Sequence, residues 1–149
     1  MAKVLIIIGS KSDMDYADKC KSQLDDFGIE SIIEVSSAHR NPQKTEKLTA
    51  GAAASGFEVI IAMAGLSAAL PGVAAAHSNL PVIGVPLPAA LDGMDALLTT
   101  VQMPPGIPVA AVAIGSPGAK NAAVLAARIL ALKHDDVKKK LITHRESLR

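Results

Sequence analysis

A histidine and an arginine stand side by side just after an apolar stretch of the sequence. The tetrapeptide Ser37-Ala38-His39-Arg40 follows the run Ile32-Ile33-Glu34-Val35, which predicts a buried β-strand. Histidine exchanges protons near neutral pH, and arginine binds phosphate or carboxylate groups through paired hydrogen bonds. In an open α/β sheet these side chains would lie at the carboxyl edge, where ligands bind. The tetrapeptide therefore predicts proton transfer beside an anion, with His39 as the candidate catalytic residue.

The turn after the first apolar run is a second candidate for chemistry. Val4–Ile8 leads into Gly9-Ser10-Lys11-Ser12-Asp13, which offers hydroxyls and backbone N–H groups to an anion at the start of a helix. The turn is neither a Walker A loop nor a GxGxxG fingerprint, which argues against nucleoside triphosphates and NAD. Helix capping by Ser12 or Asp13 explains only one of the three residues Ser10, Ser12 and Asp13. We expect phosphate or ribose contacts here, with Asp13 accepting hydrogen bonds from sugar hydroxyls.

Three later segments are rich in small residues, glycine or proline. The loop 64–72 is uncharged, and its small residues allow the backbone to approach a flat ligand closely. Segments 86–93 and 102–108 carry several prolines each. We expect all three to form walls of one pocket at the same sheet edge. The candidate substrate contacts in the first of them are Gly65, Ser67, Ala68 and Leu70.

The remaining titratable residues predict no second site. His77 falls at the end of a short predicted helix, where a cation favours the helix dipole. No cluster of cysteine and histidine, and no carboxylate pair, has the spacing of metal ligands, so we expect no metal. Cys20 is the single cysteine, which excludes an intrachain disulfide and fits a reducing cytoplasm.

The elements that must position these residues alternate between short apolar runs and helical patterns. The continuous apolar character of the runs is typical of parallel strands that are covered on both faces. The order βαβαβαβαβα predicts an α/β, three-layer sandwich with a five-stranded parallel sheet, flavodoxin-like or Rossmann-like. The predicted strands are 4–8, 32–35, 59–63, 82–85 and 108–114, and the predicted helices are 14–27, 42–55, 70–77, 94–100, 119–132 and about 135–148.

Length, composition and charge restrict the class of protein. The chain has 149 residues, of which 50% are hydrophobic and 2% aromatic, and it is expected to form a single domain over residues 1–149. The net charge is +1, and no basic stripe precedes the C-terminal tail, so we expect no nucleic-acid partner. No signal peptide and no apolar stretch of ~18 residues is visible. We expect a cytoplasmic protein with no membrane partner.

Two helical segments predict self-association. The segment 119–132 is apolar nearly all round, with only Lys120, Asn121 and Arg128 polar. A helix that is apolar on all sides needs cover on all sides. The final helix, about 135–148, is expected to pack on a neighbouring subunit. We therefore expect a homo-oligomer.

Five ordered motifs together carry a family resemblance. They are Gly9-Ser10-x-Ser12-Asp13, Ser37-Ala38-His39-Arg40-x-Pro42, Leu70-Pro71-Gly72, Pro81-Val82-Ile83-Gly84-Val85-Pro86 and Val101-Gln102-Met103-Pro104. With them, residues 3 to about 132 resemble the N5-carboxyaminoimidazole ribonucleotide mutase family, also known as the catalytic subunit of phosphoribosylaminoimidazole carboxylase.

The resemblance implies an isomerase of purine biosynthesis that needs no cofactor, forms a homo-octamer and places its pockets at subunit contacts. The substrate carboxylate would leave nitrogen as CO2, which the ring carbon C4 would then attack. The implied general acid/base is His39. The implied ribonucleotide ligands are Ser10, Asp13 and Arg40, with Ser12 and Ser37 as further residues on the phosphate side.

One position departs from the mutase pattern. The mutase family usually has histidine where this chain has Ala69, and Leu66-Ser67-Ala68-Ala69 is closer to related carboxylases, which combine aminoimidazole ribonucleotide with free CO2. Those carboxylases typically have lysine at the position of Arg40 and lack the Gly84-Val85-Pro86 pattern. The mutase remains the main hypothesis, and direct carboxylation by a lyase is the alternative. A non-catalytic phosphoribosyl-binding module and a purely structural oligomer are the other classes.

Overall fold

A computed structural model describes all residues 1–149. Five parallel strands form one sheet in the order β2-β1-β3-β4-β5, which is the flavodoxin-like order. The strands are β1 (Lys3–Ile8), β2 (Glu30–Val35), β3 (Val59–Ala64), β4 (Val82–Pro86) and β5 (Ala110–Ala111). The helices are α1 (Met14–Asp26), α2 (Pro42–Ala50), α3 (Leu70–His77), α4 (Met94–Val101), α5 (Ser116–Leu130) and α6 (Asp135–Ser147).

The sheet separates two apolar cores, because successive side chains of a strand point to opposite faces. In β1, Val4, Ile6 and Ile8 join a 22-residue cluster with α1, α5 and α6. Leu5 and Ile7 join a 12-residue cluster on the other face with residues of α3 and α4. Burial on both faces explains why the strands read as continuous apolar runs. The predicted three-layer sandwich with a five-stranded parallel sheet is confirmed.

The apolar helix α5 packs largely against other elements of its own chain. Its buried alanines and Leu130 pack in the same cluster as residues of α1 and α6. In α6, Val137 is fully buried and Leu141 packs against that cluster, so this side of α6 rests on its own subunit. The larger exposed apolar surface lies on α4, where Met94, Leu98 and Val101 are each about half exposed.

Two predicted elements are shorter than expected. Helix α2 ends at Ala50 and continues as turns through Gly56, because Gly51 is a poor helix former. Strand β5 pairs only over Ala110–Ala111 instead of 108–114. It lies at the sheet edge, and Pro108 has no N–H to contribute to the ladder.

The direction of the chain reverses across the sheet between β1 and β3. From β1 the chain first adds β2 on one side and then crosses to β3 on the other. The carboxyl ends of strands at such a switch point form a crevice in which α/β proteins bind ligands. No helix of the chain has both the length and the apolar character needed to cross a membrane.

Candidate active site

A cavity of about 420 Å³ opens at the switch point. The loops that follow β1, β2 and β3 supply almost all of its lining, and Ala89 from the loop after β4 completes it. All ten residues predicted from the sequence lie in this lining: Ser10, Ser12, Asp13, Ser37, His39, Arg40, Gly65, Ser67, Ala68 and Leu70. Residues separated by up to 60 positions in the chain thus meet in one cavity.

The turn after β1 is organised by its own hydroxyls. The Ser10 side chain accepts hydrogen bonds from the Ser12 backbone N–H at 3.3 Å and from the Ser12 hydroxyl at 3.0 Å. The Asp13 N–H donates to the Ser10 carbonyl, while the Asp13 carboxylate forms no capping bond to α1. Ser10 is therefore the capping residue of this turn. The Asp13 carboxylate accepts a hydrogen bond from the Ser10 backbone and keeps lone pairs for a ligand.

The turn after β2 projects the histidine and the arginine. The Ser37 hydroxyl accepts from the Arg40 N–H at 3.1 Å, and the Ser37 carbonyl accepts from the Asn41 N–H at 2.9 Å. Asn41 then caps α2 by accepting from the Lys44 N–H, with Pro42 in the first turn. His39 and Arg40 are exposed, so both side chains are accessible to a ligand.

The loop after β3 forms an uncharged wall. Gly65 lies against the loop after β4, and a Cβ added at Gly65 would stand 3.2 Å from the Leu87 carbonyl oxygen and 3.5 Å from the Ala89 Cβ. Leu66 has a φ of +53°, a left-handed conformation that costs energy for a non-glycine residue. The side chain of Leu66 is 56% exposed at the rim of the cavity. The glycine therefore lets two loops close together along one wall.

Three ionisable side chains line the cavity, Asp13, His39 and Arg40. Partial burial raises the pKa of Asp13 above its usual value, although a backbone hydrogen bond at Ser10 lowers it in part. The Ser10 bond offsets only part of the cost of burial, so the charged form of this carboxyl is disfavoured until further hydrogen-bond donors reach it. Hydroxyl groups of a sugar would supply such donors.

One predicted wall lies elsewhere. Gly106, Ile107 and Pro108 line a separate cavity of about 360 Å³ with the residues that precede β4. The expectation that residues 106–108 share the sheet edge of the site is wrong within this chain, because they lead into β5 and lie at its amino end. No group of three or more histidine, cysteine, aspartate or glutamate side chains comes together in a way that could hold a metal ion.

Sequence reasoning also missed several lining residues, among them Leu66 and Ala89. Neither carries a chemical signal, because apolar residues in a loop do not reveal which way they face. The position of Leu66 depends on a left-handed backbone, which the sequence does not indicate for leucine. Ala89 lies in segment 86–93, whose proline content predicted a wall but did not single out a residue.

The strand order and the residues that line the crevice define a class of protein. This is a flavodoxin-like α/β protein whose switch-point pocket combines a serine-containing helix start, an exposed histidine and an arginine. The AIR carboxylase family matches residues 3–149 of the chain. The chain belongs to that family.

Relatives and solved structures agree with this membership. N5-carboxyaminoimidazole ribonucleotide mutase of Methanocaldococcus jannaschii is 50% identical over 146 residues, which are 98% of this chain and 90% of the relative. The mutase of Pyrococcus abyssi is 49% identical over 150 residues, covering 100% of this chain and 85% of the relative. The crystal structure of Treponema denticola PurE superposes with a TM-score of 0.87 at 32% identity, covering 99% of this chain and 91% of that one.

Proposed function

We propose that this protein is an isomerase that converts N5-carboxyaminoimidazole ribonucleotide to 4-carboxyaminoimidazole ribonucleotide in purine biosynthesis. Membership of the AIR carboxylase family and full-length relatives named as mutases support this function. The observation that carries the residue assignments is the convergence of His39, Arg40 and the Ser10–Asp13 turn in one cavity. The substrate is accordingly a small ribonucleotide.

The ribonucleotide phosphate is assigned to the cationic and N–H-rich part of the cavity. Arg40 supplies a permanently charged guanidinium, and Ser10, Ser12 and Ser37 supply hydroxyls at two loop–helix turns. Asp13 is assigned to the ribose hydroxyls. They would donate to its carboxylate, which forms no capping hydrogen bond to α1. Binding of the phosphoribosyl group thereby leaves the aminoimidazole ring facing the loop after β3.

The reaction requires a proton to move and CO2 to be retained. As the N–C bond breaks, the carboxylate leaves as CO2 and the nitrogen takes a proton from His39. Carbon C4 then attacks CO2, and the neutral His39 imidazole removes the C4 proton, so the protein ends with the proton it began with. This assigns general acid/base catalysis to His39. Gly65, Ser67, Ala68 and Leu70 line an uncharged wall suited to holding CO2 away from water.

The test of this function is turnover by His39→Asn. With N5-carboxyaminoimidazole ribonucleotide as substrate, we expect formation of the C4-carboxylated product to fall about 10³-fold, while affinity for the ribonucleotide stays near that of the wild type. His77→Asn is the matched control, because His77 is exposed at the end of α3 and outside the cavity. Retention of turnover within tenfold in His39→Asn would contradict the assignment, and absence of turnover in the wild type would contradict the function.

A second arm of the same assay addresses the source of CO2. Ala69 lines the cavity with a methyl group, where the mutase pattern has histidine. Wild-type protein is offered aminoimidazole ribonucleotide with bicarbonate in parallel with the N-carboxylated substrate. We expect efficient turnover of the N-carboxylated substrate, because the relatives are named as mutases. Turnover only with bicarbonate would identify a carboxylase.

The proposed working form is a homo-octamer in the cytoplasm. Support for self-association comes from α4, where Met94, Leu98 and Val101 recur at helical spacing and remain about half exposed. The buried, free Cys20 fits a reducing compartment. Light scattering should give eight times the chain mass of 15.3 kDa, and Leu98→Glu should lower it. A monomeric wild type would contradict this form.

A further inference from the structure

A buried hydroxyl pair lies directly beneath the turn that carries His39 and Arg40. Ser36 is the residue after β2 and is 2% exposed, and Thr45 lies in α2 and is fully buried. Their hydroxyl oxygens are 2.8 Å apart. Ser36 also extends the sheet, because its N–H donates to the Ile8 carbonyl. The pair therefore links the end of the sheet to the start of α2. Residues 37–41, which form the turn with His39 and Arg40, connect these two elements.

The hydrogen bonds around this pair have one consistent direction. The Thr45 hydroxyl donates to the Asn41 carbonyl at 3.2 Å, so its oxygen is free to accept the proton of the Ser36 hydroxyl. The Asn41 N–H in turn donates to the Ser37 carbonyl. A continuous chain thus runs from Ser36 through Thr45 to Asn41 and back to Ser37. It closes a ring around the turn.

The side chains that do the chemistry take no part in this ring. The hydrogen bonds of the turn involve backbone groups and the side chains of Ser37, Asn41 and Lys44, and none comes from the His39 imidazole or the Arg40 guanidinium. Where these two side chains project is therefore set by the backbone of the turn. The hydroxyl pair holds this backbone through the hydrogen bond from Thr45 to the Asn41 carbonyl and the bond between Ser36 and Thr45.

Stability alone gives little reason for hydroxyls at these two positions. Replacing both partners of a buried hydrogen bond by apolar groups of the same shape is nearly neutral, whereas a hydrogen bond has a direction that apolar packing lacks. We propose that Ser36 and Thr45 are positioning residues that hold the 37–41 turn so that His39 and Arg40 address the substrate. This inference rests on the proposed function, because it assigns the pair through His39.

The test compares three substitutions in α2. Thr45→Val removes the hydroxyl and keeps the shape, and Thr45→Ser keeps the hydroxyl. Thr49→Val is the matched control, because Thr49 is also fully buried in α2 and its hydroxyl donates only to carbonyls of the same helix, those of Thr45 and Glu46. The double variant Ser36→Ala with Thr45→Val leaves no hydroxyl of the pair behind.

We expect kcat for the N-carboxylated ribonucleotide to fall about tenfold in Thr45→Val and in the double variant, since small displacements of catalytic groups are costly. The midpoint of the pH profile of kcat should stay in place, because the pair does not touch the imidazole. Thr45→Ser and Thr49→Val should stay within twofold of the wild type. Amide hydrogen exchange in peptides spanning 37–44 should accelerate in Thr45→Val and not in Thr49→Val.

Equal kcat values and equal exchange in Thr45→Val and Thr49→Val would overturn the inference while leaving the proposed function intact. Loss of turnover in the wild type itself would instead refute the function, and the exchange comparison alone would then decide whether the pair orders the turn. If Thr45→Val does not fold, Ser36→Ala removes the same hydrogen bond from the strand side and serves in its place.

Discussion

Two cavities at opposite edges of the sheet are similar in size and opposite in chemistry. The carboxyl-edge cavity of about 420 Å³ is lined by Asp13, His39 and Arg40 among others. The amino-edge cavity of about 360 Å³ has no ionisable side chain in its lining. Each strand of a parallel sheet leads at its carboxyl end into a helix start, which presents N–H groups and a positive dipole. The edge of the sheet, and not the volume of the cavity, therefore decides where an anionic substrate can bind.

The largest expected difference in substrate binding between the two edges concerns Arg40. Because Arg40 is the cation assigned to the phosphate, Arg40→Ala should raise KM for the ribonucleotide about 100-fold, the loss expected for a charge-assisted hydrogen-bonded pair of roughly 3 kcal/mol. Arg40→Lys should recover part of the lost affinity, because lysine keeps the positive charge but lacks the planar guanidinium that binds phosphate through two hydrogen bonds. Arg128→Ala, on the exposed side of α5, serves as the control and should leave KM unchanged. An unchanged KM in Arg40→Ala would contradict the assignment.

The same substitution made at both edges provides a direct contrast. Gly65→Ala should lower kcat about tenfold, because its methyl group would press on the Leu87 carbonyl 3.2 Å away and part the two loops of the wall. Gly106 has open space around it but a φ of +96°, so Gly106→Ala should cost about 1 kcal/mol of unfolding free energy and leave kcat unchanged. Steady-state kinetics and chemical denaturation of both variants measure the contrast. A kinetic defect in Gly106→Ala would assign a role to the amino edge.

Substitution of Asp13 should raise the stability of the protein and weaken its binding of the ribonucleotide. Burial raises the pKa of Asp13 in the folded protein, so the folded state binds this proton more tightly than the unfolded state does, and the cost of the charge grows as the pH rises above the ordinary value. Asp13→Asn should therefore raise the unfolding free energy at pH 7 by about 0.3 kcal/mol, a small gain because solvent screens this partly exposed carboxyl, while weakening ribonucleotide binding. Thermal melts at pH 7 and pH 4 test the sign, and a variant less stable at pH 7 would contradict it.

At the amino edge, a charged side chain is expected to affect stability and not turnover. Burial raises the pKa of Glu58, but hydrogen bonds and charge from Lys133 and His134 outweigh it, so the pKa lies below 4.5. The His134 Nε2 is 2.7 Å from Glu58 and the Lys133 Nζ is 2.8 Å away. The stabilisation is therefore full above pH 4.5 and is lost as the pH falls through the folded-state pKa.

Glu58→Gln should accordingly lower the unfolding free energy by about 1 kcal/mol at pH 7, with the deficit shrinking toward acid pH and kcat unchanged. Glu146→Gln, on the exposed side of α6, is the control. A deficit in Glu58→Gln that persists unchanged at pH 3 would show that the carboxylate charge is not its source.

Local patterns in the sequence were sufficient for much of the fold and of the site. The apolar runs and the helix starts predict all five strands and six helices, with α3 placed at Leu70–His77 as expected. Polar residues directly after strands predict the site, because in a parallel sheet every strand exits at the same edge. All ten candidate residues lie in one cavity for that reason.

Other predictions failed where long-range contacts decide. Residues 106–108 belong to a proline- and glycine-rich segment that was expected to form a wall of the site, yet they lead into β5 and lie at the opposite edge. The apolar surroundings of α5 were expected to come from a neighbouring subunit, but α1 and α6 of the same chain supply most of them. The apolar composition of a segment predicts that it is buried, but it does not predict which elements bury it.

By itself, the sequence determined the alternation of strands and helices, the chemistry of the residues at the strand ends, and the family that these residues define. These properties depend on side-chain type and on periodicity over a few residues, and both are local. Only the tertiary structure decided which loops share an edge, the left-handed turn at Leu66, and the burial of Ser36 against Thr45. Those features depend on strand order and on packing between segments far apart in the chain, which no local pattern encodes.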